Sequence, residues 1–387
     1  ALPILDIVCV SSVDWEPLWT RKQQIMSRLP EEHRILYVEP PISFLSPYKD
    51  AGVAFKKDRA REGLRRLNNN IWLLSPPVVW PFGSRIAGFN AINQRKIALS
   101  LRQLGFANPV LWTYLHTSCD LLGKLGERFV IYDCVDDHSA YEGFNPQLVK
   151  AMERRLMEQC DIVFCTARGL YESKKRFCRE IHLSPNAANT EHFRKADLAE
   201  TPIAPELDNL FRPVLGFVGA IKEWIDLELM AALADSFPQG SVVMVGPVGA
   251  NVDASELMKR PNVHLLGHRN RELLPTYLKG FDVCLNPFRQ NTLTSTVSPL
   301  KFYEYLASGK PIASVPMPEI MSFKGLVEFG EGKKGFVAAV QRALKDRPEK
   351  KRARLQKAQE NSWESRAQFM MEKIKAAMKR KDSKEER

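Results

Sequence analysis

The segment Ser298 to Ile312, SPLKFYEYLASGKPI, carries the clearest chemical signal in the chain. Ser298 suits an N-cap, Pro299 the first helical position, Gly309 the C′ position, and Pro311 blocks continuation, so a short helix is predicted over 299–308. The N-terminus of such a helix offers backbone N–H groups that have no intrahelical acceptor. With Lys301 in the first turn, that end attracts the oxygens of a diphosphate. Glu304, three residues on and on the same face, is placed to accept hydrogen bonds from ribose hydroxyls. The same residues equally fit an ordinary capped core helix in which Lys301 and Glu304 pair with each other.

A second segment, GFVGAIKEWID from Gly216 to Asp226, runs from a strand through a glycine-bearing turn into a helix. Gly219 either lets a ligand approach the backbone at the strand end or simply turns the chain. The G-x-G-x-x-G pattern is absent here and at Gly246 to Asn251 (GPVGAN), and no G-x-x-x-x-G-K-[ST] occurs, which removes the main support for a dehydrogenase or a P-loop enzyme. Acidic residues sit just past strand ends: Asp14 after DIVCVSS, and Asp133, Asp136 and Asp137 in FVIYDCVDDHSAY. Crowded carboxylates repel, which raises one of them into the range where it takes a proton from a sugar hydroxyl. Helix caps and a solvated loop are the other readings of the same residues. His138, His182 and His264 belong to no nucleophile or metal array and read as structural. Without H-E-x-x-H, paired cysteine motifs or Asp-x-Asp, no bound metal is expected.

These residues need a scaffold, and short apolar runs alternating with longer segments of helical period describe one: parallel sheets covered by helices, an α/β chain. Strands are expected at 6–11, 35–38, 110–113, 129–133 and 161–165, then at 213–218, 241–245, 263–266, 281–286 and 311–315. Helices are expected at 18–29, 146–159, 226–236, 299–308, 334–344 and 363–378. The aperiodic stretch Lys195 to Arg212 reads as a linker. It divides residues 1–197, a first domain, from residues 198–361, a second, and residues 362–387 form a terminal helix and basic tail that braces the first domain.

With 387 residues and 44% hydrophobic content, the chain is long enough for two cores. No apolar run reaches the roughly 20 residues of a membrane span, and the first residues lack the pattern of a signal peptide. Seven cysteines, with Cys9, Cys165 and Cys284 inside apolar runs, fit reduced thiols in a cytosolic core. The net charge of +11 is concentrated: residues 342–387 hold 16 Lys and Arg against 8 Asp and Glu, and residues 55–67 hold 6 against 2. That distribution lacks the basic stripe of a nucleic-acid binder, so no nucleic-acid partner is expected. It fits an anionic membrane surface or, equally, solvated helix faces. Trp72, Trp80 and Phe82 in IWLLSPPVVWPF, Ile71 to Phe82, suit a bilayer interface or a buried segment between strands.

Several motifs in order, from SSVDWEPLWTRKQQI, YDCVDDHSAYEG, DIVFCTARGLYESKKR and HLSPNAANTEHF to GAIKEWID, VHLLGHRNRELLPTYL, FDVCLNPF and SPLKFYEYLASGKP, resemble the GT-B glycosyltransferases of family 4 and its relatives. Within these, the bacterial enzymes of teichuronic-acid-type and exopolysaccharide synthesis are most similar. The resemblance spans nearly the whole chain. It implies two Rossmann-like domains facing an interdomain cleft, the first for an acceptor and the second for a nucleotide sugar, with the terminal helix crossing back.

Residue by residue, the resemblance implies that Gly267, His268 and Arg269 surround the base and that Gly219, with Lys222, approaches the phosphates. Ser298, Leu300, Lys301 and Glu304 would grip diphosphate and ribose. Asp136, with Asp137 beside it, falls where the more distant xanthan-type glucuronosyltransferases hold a catalytic aspartate, and Asp14 and Trp15 fall on an acceptor-side loop. Many family 4 enzymes carry a glutamate eight residues before Glu304, where this chain has Thr296. Contacts usually made by that glutamate to the transferred sugar are thereby lost, while Thr292, Thr294 and Ser295 offer hydroxyl and backbone donors to the phosphates.

The expected activity is metal-independent transfer of a hexose or glucuronate from a uridine diphosphate carrier to a lipid-linked or polysaccharide acceptor of the cell envelope. No cofactor is expected beyond the nucleotide-sugar co-substrate. The expected location is the cytoplasm, at the inner face of the membrane. The alternative is a non-catalytic nucleotide-sugar-binding protein of the same fold.

Overall fold

The computed structural model describes residues 4–17, 19–41, 62–76, 87–141, 144–291 and 294–385. The chain divides into two compact units, Ala1–Pro185 with Ala367–Arg387, and Asn186–Arg366. Each is an α/β layer built on a mainly parallel sheet.

The first unit orders its strands β3-β4-β2-β1-β5-β6-β7-β8. These are β1 Asp6–Val10, β2 Arg34–Val38, β3 Leu64–Arg66, β4 Ile71–Leu74, β5 Val110–Thr113, β6 Phe129–Cys134, β7 Ile162–Cys165 and β8 Ile181–Leu183. All pairings are parallel except β3 with β4. Such strands are covered on both faces, so they read as unbroken apolar runs, and every residue of β5, β6 and β7 is buried. The chain builds outward from β1 through β2 to β4 and then returns to place β5 on the other side of β1. The loops after β1 and β5 therefore diverge there, and the strand ends form the crevice in which such sheets take ligands.

The second unit repeats this plan with six strands, ordered β11-β10-β9-β12-β13-β14. Here β9 is Val214–Val218, β10 Ser241–Val245, β11 Val263–Gly267, β12 Val283–Asn286, β13 Ile312–Ser314 and β14 Glu328–Phe329, all paired in parallel. Its switch point lies between β9 and β12.

The stretch expected to be a linker is part of this second core. Ala196, Ala204 and Leu207 of that stretch pack into its apolar cluster, as do Ala188 and Phe193 before it, and the unit begins at Asn186, ahead of the expected 197/198 boundary. Burying these small apolar side chains outweighs the absence of any helical period. The far boundary falls at Arg366/Ala367, inside the helix Trp363–Glu385. Residues of that helix beyond the boundary pack on the first unit: Arg21 Nη2 donates to Met370 Sδ at 3.4 Å, and Lys381 Nζ lies 3.0 Å from Asp161. The basic excess of the C-terminal region is partly spent in such pairs, among them Lys350 with Glu328 and the buried Arg354 with Asp346.

Ile71–Leu74, expected either at a bilayer interface or as a buried segment between strands, is a sheet strand in parallel register with β2, with Ile71, Leu73 and Leu74 buried. Trp72 packs edge-on against Phe106, with the Arg66 guanidinium 5.7 Å above its ring. Trp80, Phe82 and residues 55–61 of the basic run 55–67 lie outside the described residues. Among the described residues no helix is long and apolar enough to cross a membrane.

Candidate functional site

In the second unit the strand ends are bare backbone. Gly219, just past β9, has φ +152° and donates its N–H to Val245 O at 2.9 Å. Gly246, just past β10, has φ +153°, and a Cβ there would stand 1.9 Å from Gly219 O. Any side chain at Gly246 would push the two turns apart, so the close approach requires glycine.

The helix Leu300–Ser308 follows β12 and points its N-terminus at this end of the sheet. Tyr305 holds it there: the hydroxyl accepts from Val218 N at 2.8 Å, tying the helix to the last residue of β9. The consequence is that Lys301 reaches Gly219, where a Cβ would lie 3.6 Å from Lys301 Cγ. Lys301 Nζ lies 2.7 Å from Glu304, whose side chain is buried. The pairing foreseen as the plainer alternative is thus formed, and it sits beside a glycine turn and a helix terminus that both favour anionic oxygens.

Ser298 does not cap the helix. Pro299 takes the N-cap position without a side-chain cap bond, because the buried Ser298 is engaged elsewhere. Its hydroxyl accepts from Asn186 N at 3.1 Å and its carbonyl from Asn186 Nδ2 at 2.8 Å. Leu300 is the first helical residue, and Gly309 ends the helix in the left-handed conformation as expected.

The remaining expected donor residues fall into two groups. Gly267 closes β11 and bridges to Gly246, which places it beside the glycine turns. His268 is exposed, as is Lys222, whose ammonium stands 5.9 Å above the Trp224 ring. Arg269 turns away into a local network, its Nε donating to Tyr277 OH at 2.7 Å and its Nη2 lying 3.0 Å from Glu206. Thr294 is buried and committed to its own loop, accepting from Asn291 N at 3.0 Å and donating to Arg289 O. That loop and Met317 and Pro318 line a pocket of about 450 Å³. Thr292 lies outside the described residues. Sequence reasoning missed Asn186, Gly246 and Tyr305; their partners are 27 to 112 positions away, so no local spacing signals them.

In the first unit the acidic cluster separates into three roles. Asp133 is fully buried and takes Arg21 Nε at 2.8 Å. Asp137 caps the turn His138–Ala140, accepting from Ser139 N at 3.0 Å. Asp136 is half-buried, and the Tyr141 hydroxyl has its pKa pushed up by burial and then by Asp136. Mutual repulsion was expected to govern the cluster; instead Arg21 and Lys22 set two cations among the carboxylates. Burial lowers the Lys22 ammonium while Asp136 and Asp133 oppose the shift.

Two imidazoles stand together nearby, the His116 and His138 ring centroids 5.4 Å apart, with Asp136 in electrostatic reach of His138. Burial pushes His116 down to about 4 and lowers His138 as well. Trp15, expected on the acceptor side, is a core residue, its ring packed edge-on against Tyr37 at 4.9 Å and its backbone N–H donated to Glu39 Oε1. Its indole packs against Tyr37 and Trp19, and burial of so large a ring is favoured over exposure to an acceptor. Asp14 beside it is half-buried, its carbonyl accepting from Gln23 Nε2 at 2.7 Å. All seven cysteines are free thiols.

Residues 212–346 match the family model for Glycosyl transferases group 1. The chain is 30% identical over 233 residues to the putative teichuronic acid biosynthesis glycosyltransferase TuaH of Bacillus subtilis (strain 168), covering 56% of this chain and 58% of that protein. The match thus spans less than two thirds of the relative's length. Sucrose-phosphate synthase from Thermosynechococcus elongatus superposes with a TM-score of 0.69 at 15% identity, covering 97% of this chain and 99% of that one. The E. coli trehalose-6-phosphate structure bound with UDP-2-fluoro glucose gives 0.70 at 13% identity, with 96% and 99% covered. Anabaena Alr3699/HepE in complex with UDP and glucose gives 0.66 at 12%, with 96% and 99% covered. The fold is that of the GT-B glycosyltransferases.

Proposed function

We propose that this GT-B chain, related to the group 1 glycosyl transferases, moves a hexose or glucuronate from a uridine diphosphate carrier to a hydroxyl of a lipid-linked or polysaccharide acceptor in cell-envelope synthesis. The observation that carries the reading is the seating of Lys301 and its helix terminus against the Gly219 turn, 3.6 Å from a Cβ placed there. A diphosphate at that point meets backbone N–H groups, the helix dipole and an ammonium together, so the leaving charge is stabilised by the protein itself. Opening the Lys301–Glu304 pair on binding frees the carboxylate for ribose hydroxyls. TuaH, named for teichuronic acid biosynthesis, and the UDP-bound neighbours support the donor and pathway assigned here.

On the first unit, Asp136 is the general base of an inverting displacement, since Asp133 and Asp137 are committed to Arg21 and to a cap. A panel of UDP-, GDP- and ADP-sugars with an undecaprenyl-diphosphate-linked saccharide as acceptor tests the reading. Transfer from a UDP-sugar is expected, with Asp136→Asn lowering kcat about 10³-fold while UDP affinity is retained. Undiminished transfer by a folded Asp136→Asn protein removes that residue from the mechanism. Binding of UDP-sugars without transfer leaves the nucleotide-sugar-binding alternative.

A further inference from the structure

The helix Ala87–Leu104 of the first unit turns an uncommon face to solvent. Ile92, Arg95, Lys96, Leu99 and Arg102 recur at spacings of three and four, so they lie along one side of it, and all five are exposed. Ile92 is 49% and Leu99 60% exposed, whereas Ile97 and Leu101 bury the opposite side. The three cations alternate with these aliphatics. Among the described residues none of the three forms an ion pair, and residues 87–104 contain no Asp or Glu. The acid beside this face, Glu62, flanks Gly63, where a Cβ would stand 3.7 Å from Lys96 Nζ, but its carboxylate pairs with Arg65 at 4.0 Å. The basic C-terminal helices differ, since Lys350, Lys351 and Lys381 are paired with Glu328, Asp197 and Asp161.

We propose that this face of Ala87–Leu104 docks the first unit on an anionic lipid surface. Three unpaired cations with no acid among them call for an anionic partner. The aliphatics narrow the choice: a nucleic-acid backbone would satisfy the charges and leave Ile92 and Leu99 in water, where covering them gains most. A bilayer with acidic headgroups meets both demands. Ile92 and Leu99 enter the boundary between headgroups and acyl chains, while Arg95, Lys96 and Arg102 lay their apolar stems along the interface and reach the phosphates. The helix lies in the plane of the surface and spans nothing. The segment Ile71–Leu74, whose apolar side chains are committed to the sheet, leaves this role to the helix that follows it. The docking face is independent of the transferase reading, because none of its five residues belongs to the candidate site.

The test is flotation of the full chain with phosphatidylcholine vesicles, with and without about one third phosphatidylglycerol. The wild-type protein is expected to float with the anionic vesicles and to be released as salt rises. Arg95→Gln/Lys96→Gln/Arg102→Gln is expected to lower the partition coefficient about 100-fold, and Ile92→Ser/Leu99→Ser about tenfold. Both variants alter exposed side chains, so each is expected to melt within about 2 °C of wild type. Absence of wild-type flotation, or equal flotation with neutral vesicles, overturns the proposal. Undiminished binding by the charge variant does so too, since the contact would then lie on another basic segment. A loss confined to the charge variant, with Ile92→Ser/Leu99→Ser binding like wild type, would show a general polyanion patch and equally overturn the lipid surface. Sugar transfer to a water-soluble acceptor by a wild-type protein that does not float removes the docking face alone. Flotation without transfer removes the transferase reading alone.

Discussion

At the ends of β9 and β10 the second unit offers glycine backbone and a helix terminus, with a lysine–glutamate pair whose ammonium end is partly exposed. At the ends of β1, β5 and β6 the first unit does the opposite, sinking Arg21, Lys22 and Asp133 into its core beside two neutral histidines. The contrast follows from the two tasks. A diphosphate brings its own charge and needs donors that it can approach closely, which bare backbone supplies at little cost in stability. A hydroxyl brings no charge, so activating it takes charges that the protein itself holds out of water, and these burden the fold. The comparison predicts that changes to the buried Arg21–Asp133 pair and to His116 in the first unit act chiefly on stability and its pH dependence, whereas changes at the glycine turns of the second act chiefly on donor binding.

The largest effect is expected for Arg21→Met. It strands Asp133 as a buried carboxylate whose Oδ1 already lacks a partner among the described residues, at a cost of about 3–5 kcal/mol in denaturant unfolding. A loss below about 1 kcal/mol would mean that the pair contributes nothing and that the first unit resembles the second.

Next is pH. His116 is held at about 4 by burial and by His138, below the ordinary value near 6.5. Between those values the unfolded chain binds more protons than the folded one, so stability is full above pH 6.5 and declines as pH falls toward 4, by up to about 3 kcal/mol from this residue. His116→Phe is expected to flatten that decline in unfolding curves taken across the window. An unchanged slope would place the imidazole in contact with water.

The smallest effect on the fold is expected for Gly246→Ala. The added Cβ would stand 1.9 Å from Gly219 O and also require a strained φ, so about 2 kcal/mol of stability is lost. UDP affinity should fall by at least about tenfold as the two turns separate. Equal affinity in the variant would contradict a diphosphate seated on these turns.

Much of this architecture was legible along the chain. β5 and β10 run over the residues expected, as does the helix Pro146–Gln159, because unbroken apolar runs and clear caps are local signals. β3, β4 and β8 were not read as strands. β3 and β8 are only half-buried, and the aromatic Trp72 in β4 suits an interface as well as a sheet. Lys301 and Glu304 were singled out from spacing, which left open both a diphosphate site and a simple ion pair; the pair is formed, beside Gly219. Ser298 was misplaced by one step of logic: its hydroxyl had two uses, and Asn186, distant in sequence, claimed it. Trp15 was misread for a similar reason, since a tryptophan beside a loop aspartate looks the same whether its ring meets a ligand or Tyr37.

The sequence by itself determined the α/β class, the doubled plan, the helix Leu300–Ser308 and the acidic run after β6, because periodicity, caps and strand-end carboxylates are written within a few residues of one another. Only the tertiary structure decided which carboxylate remains uncommitted and where the Lys22 ammonium lies. Those outcomes depend on Arg21 meeting Asp133 across 112 positions and on Lys22 coming to rest over Tyr114. Burial and pairing are properties of the packed chain, and the competition among several charges for one partner is settled by distances that no local pattern records.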